Sequence, residues 1–217
     1  PYTTLFRSAL LFTKDQLTKE NILAATENIR AQTGLKSQFE QGINRSMVYI
    51  PKIFPIIKQS GLPLDLVFLP HVESSYNASA RSKVGASGLW QLMPRTMAIL
   101  EGRRAVSRRG DPAISTRAAL KLLRDNFEKI QDWPLALTAY NHGQNGILRA
   151  MTTTSSKDLC SVIDNYSSPS FKFASSNFYA QFLAARKIAR KKYELIGKND
   201  KSGSMGRIFI SSLEGGK

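Results

Sequence analysis

The run from Leu69 to Met93, LPHVESSYNASARSKVGASGLWQLM, sets one carboxylate, Glu73, among apolar residues and ends in the small-residue turn Gly85-Ala86-Ser87-Gly88. A carboxyl group in apolar company keeps its proton near neutral pH and can serve as a general acid. An isolated Glu near a helix end is more often a solvated surface group. What gives Glu73 weight is a second polar block in a comparably apolar context, Ala139-Tyr140-Asn141.

Glycosidic cleavage commonly uses two carboxylates on opposite sides of the sugar. The other acids offer no convincing second member. Asp65 would lie on about the same helical face as Glu73 but some ~12 Å away at ~1.5 Å rise per residue. Asp111 precedes Pro112 in a loop, and Asp125, Glu128 and Asp132 read as solvated helix-surface or turn residues. The economical reading is a single-acid mechanism in which the substrate contributes its own nucleophile.

The rest of the chain has to position those residues. Its 217 residues suit one main domain with terminal extensions, and 42% apolar with 22% charged residues is a folded, soluble composition. No apolar run approaches the ~20 residues that span a bilayer. The start, PYTTLFRSALLF, has neither an initiator Met nor the features of a signal peptide, so the chain reads as a fragment or mature segment whose first eight or so residues are foreign to the fold. A single cysteine, Cys160, excludes an internal disulfide, and two histidines, His71 and His142, are too few for a histidine-based metal site. No cofactor is expected.

The net charge of +15 is uneven: residues 166–217 hold 10 Lys and Arg against 3 Asp and Glu, and residues 61–110 hold 7 against 3. Such a surplus attracts polyanions, whether nucleic acid, an anionic lipid surface or an acidic wall polymer. No nucleic-acid-reading motif or interleaved aromatic pattern accompanies it, so no nucleic-acid partner is expected.

The periodicity is helical. Ile22, Ala25 and Ile29 mark one face between Thr18 and Thr33, closed by Gly34. A weaker segment from Met47 to Gln59 is disturbed by Pro51 and Pro55. Pro63 opens a helix that carries Leu66, Val67, Leu69 and Val72, bends at Pro70 and delivers Glu73 near its C-terminal end. Residues 76–88 read as a loop, with a short β-hairpin near residues 77–88, leading into a helix from Leu89 to Leu100. A basic exposed loop follows from Arg103 to Asp111. Ser115 is a candidate N-cap for a helix with a stripe of Ala119, Leu122, Leu123, Phe127 and Ile130. Asp132-Trp133-Pro134 starts the helix that carries Tyr140 and ends at Gly143. Residues 152–158 form a polar connector. From Asn177 to Leu195 a basic amphipathic helix sets Phe178, Phe182, Ala185 and Ala189 against Arg186, Lys187, Arg190 and Lys191.

These residues carry a resemblance. Glu73-Ser74, Gly85-Ala86-Ser87-Gly88-Leu89-Trp90-Gln91 and Ala139-Tyr140-Asn141, flanked by Gly61-Leu62-Pro63, by Asp111 to Arg117, by Asp132 to Ala136 and by Phe173 to Tyr179, stand in the order and spacing of the lytic murein transglycosylases of the lysozyme-like superfamily, and are most similar to the membrane-bound type D group. The likeness runs from about Ala31 to Ala189. It implies a mainly α, lysozyme-like fold (the goose-type lysozyme, or SLT, helical domain). The expected organisation is an N-terminal helical extension at 1–45, the catalytic domain at 46–165, a basic C-terminal helix packed on it at 166–197, and a flexible tail at 198–217.

The resemblance also implies the chemistry: cleavage of the β-1,4 bond between N-acetylmuramic acid and N-acetylglucosamine in peptidoglycan without water, leaving 1,6-anhydromuramic ends. Glu73 corresponds to the acid that then acts as base, Ser82 to the serine that polarises the substrate N-acetyl group, and Gln91 and Met93 to residues lining the glycan site. Tyr140 corresponds to the tyrosine whose hydroxyl points at the acid, with Asn141 holding that turn. Ser74 either supports the site or only closes the helix end. Trp90 and Trp133 are expected in the core or groove wall, and His71 and His142 in structural or rim positions. A location in the periplasm or cell envelope, with membrane association in a longer protein, a monomeric state and attraction to an anionic envelope surface complete the expectation. The competing readings are a muramidase that hydrolyses the same bond and a non-catalytic wall-binding module. Two departures from the family pattern stand out: Pro94-Arg95-Thr96 leads into Met97 rather than Gly, and the segment before Asp111-Pro112, usually acidic, reads Ser107-Arg108-Arg109-Gly110.

Overall fold

The computed structural model describes residues 35–199. The helix expected over residues 18–33 and most of the tail from residue 198 lie outside them. The described chain is helical throughout: α1 (Leu35–Ser60), a 3₁₀ turn (Leu64–Phe68), α2 (Leu69–Ser74), α3 (Pro94–Glu101), a second 3₁₀ turn (Arg103–Arg108), α4 (Pro112–Ile130), α5 (Trp133–His142), α6 (Gln144–Thr154), α7 (Leu159–Asn165), α8 (Phe173–Ser176) and α9 (Phe178–Asn199). The expected boundary between residues 45 and 46 falls inside α1.

The first departure from expectation is α1 itself. Pro51 and Pro55 sit within a continuous 26-residue helix. An interior proline costs a helix about 3 kcal/mol. Against that, Ile43, Ile50, Ile53 and Ile57 fall on one face and are buried, and full burial of each such side chain contributes roughly 1.5–3 kcal/mol. The stripe outweighs the prolines, so packing and not local propensity decides.

Helix α4 forms the centre. Ala118, Ala119, Leu123, Phe127 and Ile130 are buried against α1 on one side and α5 on the other, and the Trp133 ring stacks on Phe127 with centroids 4.6 Å apart. Its N-cap is Asp111, whose carboxylate accepts from the Ala113 and Ile114 amides. The expected cap, Ser115, is instead buried one turn inside, its hydroxyl donating to the Asp111 carbonyl. Pro112 at the first position, with no N–H to satisfy, moves the start of the helix back by a turn. The same rule moves α3: it starts at Pro94 rather than Leu89, because Gln91 adopts the left-handed conformation (φ 45°) and breaks any helix before it. Helix α5 runs as expected from an Asp132 cap to Gly143, and α6 extends to Thr154, which shortens the connector expected at 152–158.

Between α2 and α3 the chain forms no strand among the described residues. The expected hairpin reduces to isolated antiparallel bridges, Arg81 with Ser87 and Ser87 with Leu92. Gly85 and Gly88, both at positive φ, turn the chain every few residues, so no ladder can extend. The basic loop expected after α3 holds one 3₁₀ turn with no buried residue.

Helix α9 closes the domain. Phe178, Phe182, Ala185, Ala189 and Tyr193 are buried along one face. Arg186, expected on the solvated face, instead pairs with Asp65 at 2.8 Å with both side chains largely covered. That pair ties α9 to the turn preceding the Glu73 helix.

Candidate active site

Helix α2 is only six residues long, too short to stand alone, so its neighbours must fix it. From behind, His71 Nε2 and the Tyr193 hydroxyl are 2.8 Å apart, and that hydroxyl donates to Ser46 Oγ at 2.6 Å, linking α2 to α9 and α1. The Phe39 ring stacks on His71 at 5.0 Å. Burial, with the charge of Arg45, holds the His71 imidazole down at about 3, so it is neutral at physiological pH. At its C-terminal end the chain passes through two consecutive left-handed residues, Ser75 and Tyr76. Arg45 Nε donates to the Ser75 carbonyl at 2.9 Å, and the buried Tyr76 hydroxyl donates to the Val67 carbonyl. Gly42 lets α1 approach this closely: a Cβ there would lie 3.2 Å from both Ser75 Cβ and the Ser75 carbonyl oxygen.

This anchoring makes a prediction. Tyr193→Phe leaves Ser46 Oγ without its donor and His71 Nε2 without its partner in the interior, and loss of such buried bonds costs about 1–3 kcal/mol. Urea denaturation should show a lower midpoint with an unchanged slope; an unchanged midpoint would mean the chain of bonds does not anchor α2.

Glu73 occupies the penultimate position of α2. Its Oε1 is buried with no hydrogen-bond partner among the described residues. Desolvation with nothing to offset it pushes the carboxyl up to about 8, so it is protonated at neutral pH. Tyr140 on α5 is close enough for the Glu73 charge, after burial, to push its phenol further above the ordinary value. The Tyr140 hydroxyl donates to the Trp90 carbonyl at 2.7 Å.

The other acids are committed elsewhere. Asp65 pairs with Arg186, Glu101 with Lys121 at 2.8 Å, and Asp125 with Lys129 at 3.0 Å. Asp111 and Asp132 are helix caps, the former where a loop was expected. Burial raises the Asp132 carboxyl, while the Leu135 amide and its cap bond oppose that. No group of three or more His, Cys, Asp or Glu suited to a metal ion occurs among the described residues.

The 80–92 turn is fastened to this acid-bearing helix. Ser74 Oγ bonds to the Leu89 carbonyl at 2.9 Å and to the Pro70 carbonyl at 3.3 Å, and accepts from the Asn77 amide. It therefore closes the helix end and also joins it to the turn. Gln91 donates its amide nitrogen to the Gly88 carbonyl at 2.9 Å and the Ala80 carbonyl at 3.3 Å, an arrangement that fixes which end of the amide is nitrogen. Ser82 Oγ accepts from the Ala86 amide at 2.9 Å, so its own proton can be offered outward. Met93 is exposed just before α3. Asn141 is also exposed, and its Oδ1 accepts from Ser175 Oγ at 3.1 Å, fastening α5 to α8. Trp90 is fully buried with its indole donating to Thr116 Oγ1 at 2.8 Å, and Trp133 is buried too; neither presents a sugar platform. His142 lies against Phe171 edge-on at 5.1 Å and reaches Ser175 Oγ at 3.2 Å.

Arg109 was noted in the sequence only as part of a basic loop, not as a fastener of the turn. Its Nη1 donates to the Gly85 carbonyl at 2.6 Å and the Leu92 carbonyl at 3.1 Å, and its Nε to the Val106 carbonyl at 2.9 Å. One guanidinium clamps both ends of the turn that holds Gln91. Gly88 faces it: a Cβ there would lie 2.1 Å from the Arg109 carbonyl oxygen. The glycine was visible in the sequence; its contact, spanning more than twenty residues of chain, was not.

Residues 56–161, which contain Glu73, the turn and Tyr140, match the family described as Transglycosylase SLT domain. The membrane-bound lytic murein transglycosylase D of Escherichia coli (strain K12) is 30% identical over 183 residues, covering 82% of this chain and 40% of that protein. A transglycosylase of Enterobacteria phage PRD1 is 41% identical over 73 residues, 34% of this chain and 26% of the phage protein. The chain thus spans well under half the length of these curated relatives. Through residues 56–161 it belongs to the Transglycosylase SLT domain family.

Proposed function

We propose that this chain cleaves the β-1,4 bond between N-acetylmuramic acid and N-acetylglucosamine in peptidoglycan by lytic transglycosylation, with Glu73 as the only acid/base. The observation that carries it is the buried Glu73 Oε1, without a hydrogen-bond partner among the described residues and protonated at neutral pH, while Asp65, Glu101, Asp111, Asp125 and Asp132 are engaged in ion pairs or helix caps.

In this mechanism Glu73 gives its proton to the glycosidic oxygen as the bond from that oxygen to C1 of the muramyl residue breaks. The resulting carboxylate takes the proton of the muramyl C6 hydroxyl, whose oxygen closes onto C1 to form the 1,6-anhydro ring. Atoms and charge balance with no water consumed, and Glu73 ends protonated as it began. Ser82 offers its proton to the substrate N-acetyl group, polarising and orienting it. Gln91, with its nitrogen anchored, presents its oxygen to the glycan, and Met93 supplies an apolar edge. Tyr140, its hydroxyl held by the Trp90 carbonyl, stands close enough to Glu73 to feel its charge, and Asn141 holds the end of α5. The relatives named for murein and membrane support a location at the cell envelope, with glycan strands as the partner; the chain is taken to work as a monomer. No helix among the described residues is long and apolar enough to cross a membrane.

The pH profile tests the acid. With the carboxyl at about 8, the rate of glycan release should stay level through neutrality and fall, with a slope of one proton, above that value. A rate that instead rises towards pH 8 would mean that the ionised carboxylate starts the reaction, and the proposal would fail.

A further inference from the structure

The turn fastened to the Glu73 helix through Ser74 belongs to a basic rim made of two segments. One is the turn from Arg81 to Ala86, closed by the Ser82 amide donating to the Ala86 carbonyl at 2.9 Å. The other is the 3₁₀ turn Arg103–Arg108. Arg109 joins them, bonding the Gly85, Leu92 and Val106 carbonyls, and the Arg81 charge lies near enough to disfavour its protonated form. Around this clamp Arg81, Lys83, Arg103 and Arg104 are exposed, and none has an acidic partner among the described residues. The nearby acids do not compensate them: Asp111 caps α4 and meets Arg108 at 3.4 Å, and Glu101 pairs with Lys121. Four exposed cations with no acidic partner among the described residues contribute little to the fold.

We propose that this rim recognises the carboxylates of the peptide branches carried by the glycan strand, so that strands bearing peptides are cleaved in preference to bare strands. The inference rests on the reading of the site as a glycan-cleaving one and names which form of the strand it takes. The chemistry discriminates by number and position: on an intact strand the muramyl lactyl carboxyl is tied up in the amide to the peptide and several free carboxylates lie out along each branch, whereas a stripped strand carries one lactyl carboxylate per muramyl residue, close to the sugar ring. Arg81 and Lys83 flank Ser82 directly, so a strand seated at Ser82 and Gln91 passes them within a side chain's length. Each exposed pair is weak, so the preference is a sum and is screened by salt. The apolar tip of the same turn, Val84, is exposed, and an anionic membrane surface is the rival partner.

The test compares kcat/KM of the wild type on intact glycan strands with that on the same strands stripped of peptides by an amidase, at low and high ionic strength. The expected result is a preference of about 10-fold for peptide-bearing strands, shrinking with salt. In the fourfold variant Arg81→Gln, Lys83→Gln, Arg103→Gln, Arg104→Gln, the ratio should fall towards one through loss on the peptide-bearing strand, with the unfolding midpoint unchanged. A wild-type ratio near one, or an unmoved ratio in the variant, overturns the inference. So does a variant that keeps the ratio but no longer binds vesicles of anionic phospholipid, which would assign the rim to a membrane. Absence of cleavage of either strand by the wild type is a different result: it removes the reading of the site itself, and the inference with it.

Discussion

Replacing Glu73 by Gln should reduce release of muropeptides from purified sacculi by roughly 10³-fold or more, because Gln keeps the shape but neither gives nor takes a proton, and one group performs both transfers. The same substitution should make the protein more stable, and the sign of that effect is informative. The folded carboxyl titrates at about 8 against an ordinary 4.5, so the folded state keeps a proton that the unfolded chain releases. Wild-type stability is therefore greatest below the unfolded value and falls as pH rises through the window between the two. Gln has no such proton. Its advantage should be absent in acid, grow through neutrality and level off above pH 8, reaching on the order of 5 kcal/mol. Parallel thermal melts across pH check it; equal melting temperatures at every pH would mean that Glu73 is not held in a dry site.

The second large effect is expected at Gly88. Its φ of 83° already disfavours a side chain, and an added Cβ would meet the Arg109 carbonyl oxygen at 2.1 Å, backbone against backbone. Neither side can yield without opening the turn that Arg109 clamps. Gly88→Ala should cost about 3 kcal/mol or more, roughly a 10 °C drop in Tm for a domain of this size, and should take activity with it by displacing Gln91. Gly85→Ala is the control: its φ is 91° but nothing lies within 4 Å of the added carbon, so only the conformational cost of about 1 kcal/mol remains. Equal losses at the two glycines would show that close approach to Arg109 is not what fixes Gly88.

Much of the architecture was readable because the signals are local. Asp132-Trp133-Pro134 is a cap followed by proline, and Gly143 is a stop, so α5 was legible to the residue. The apolar face of α9 was legible from its spacing, as was the delivery of Glu73 at a helix end after Pro70. The failures have one cause. Whether Pro51 and Pro55 break α1 depends on how much its isoleucine face buries, and whether Ser115 caps α4 depends on Asp111 and Pro112 doing so first. Propensity cannot weigh such competitions. At the site, the identity of the acid could be argued from one sequence, but not its environment. The links of His71 to Tyr193, Arg45 to Ser75 and Arg109 to Gly85 join residues 24 to 122 positions apart, and no local pattern encodes them.

The central claim is that one buried carboxyl cleaves the strand without water. Digestion of purified sacculi in water enriched in heavy oxygen, followed by mass spectrometry of the released muropeptides, tests it most directly. Water-free cleavage should yield muramic ends that are one water lighter than hydrolytic ends and carry no heavy oxygen, formed by the wild type and not by Glu73→Gln. Reducing muramic ends labelled with heavy oxygen would contradict it and make the protein a hydrolase on the same fold.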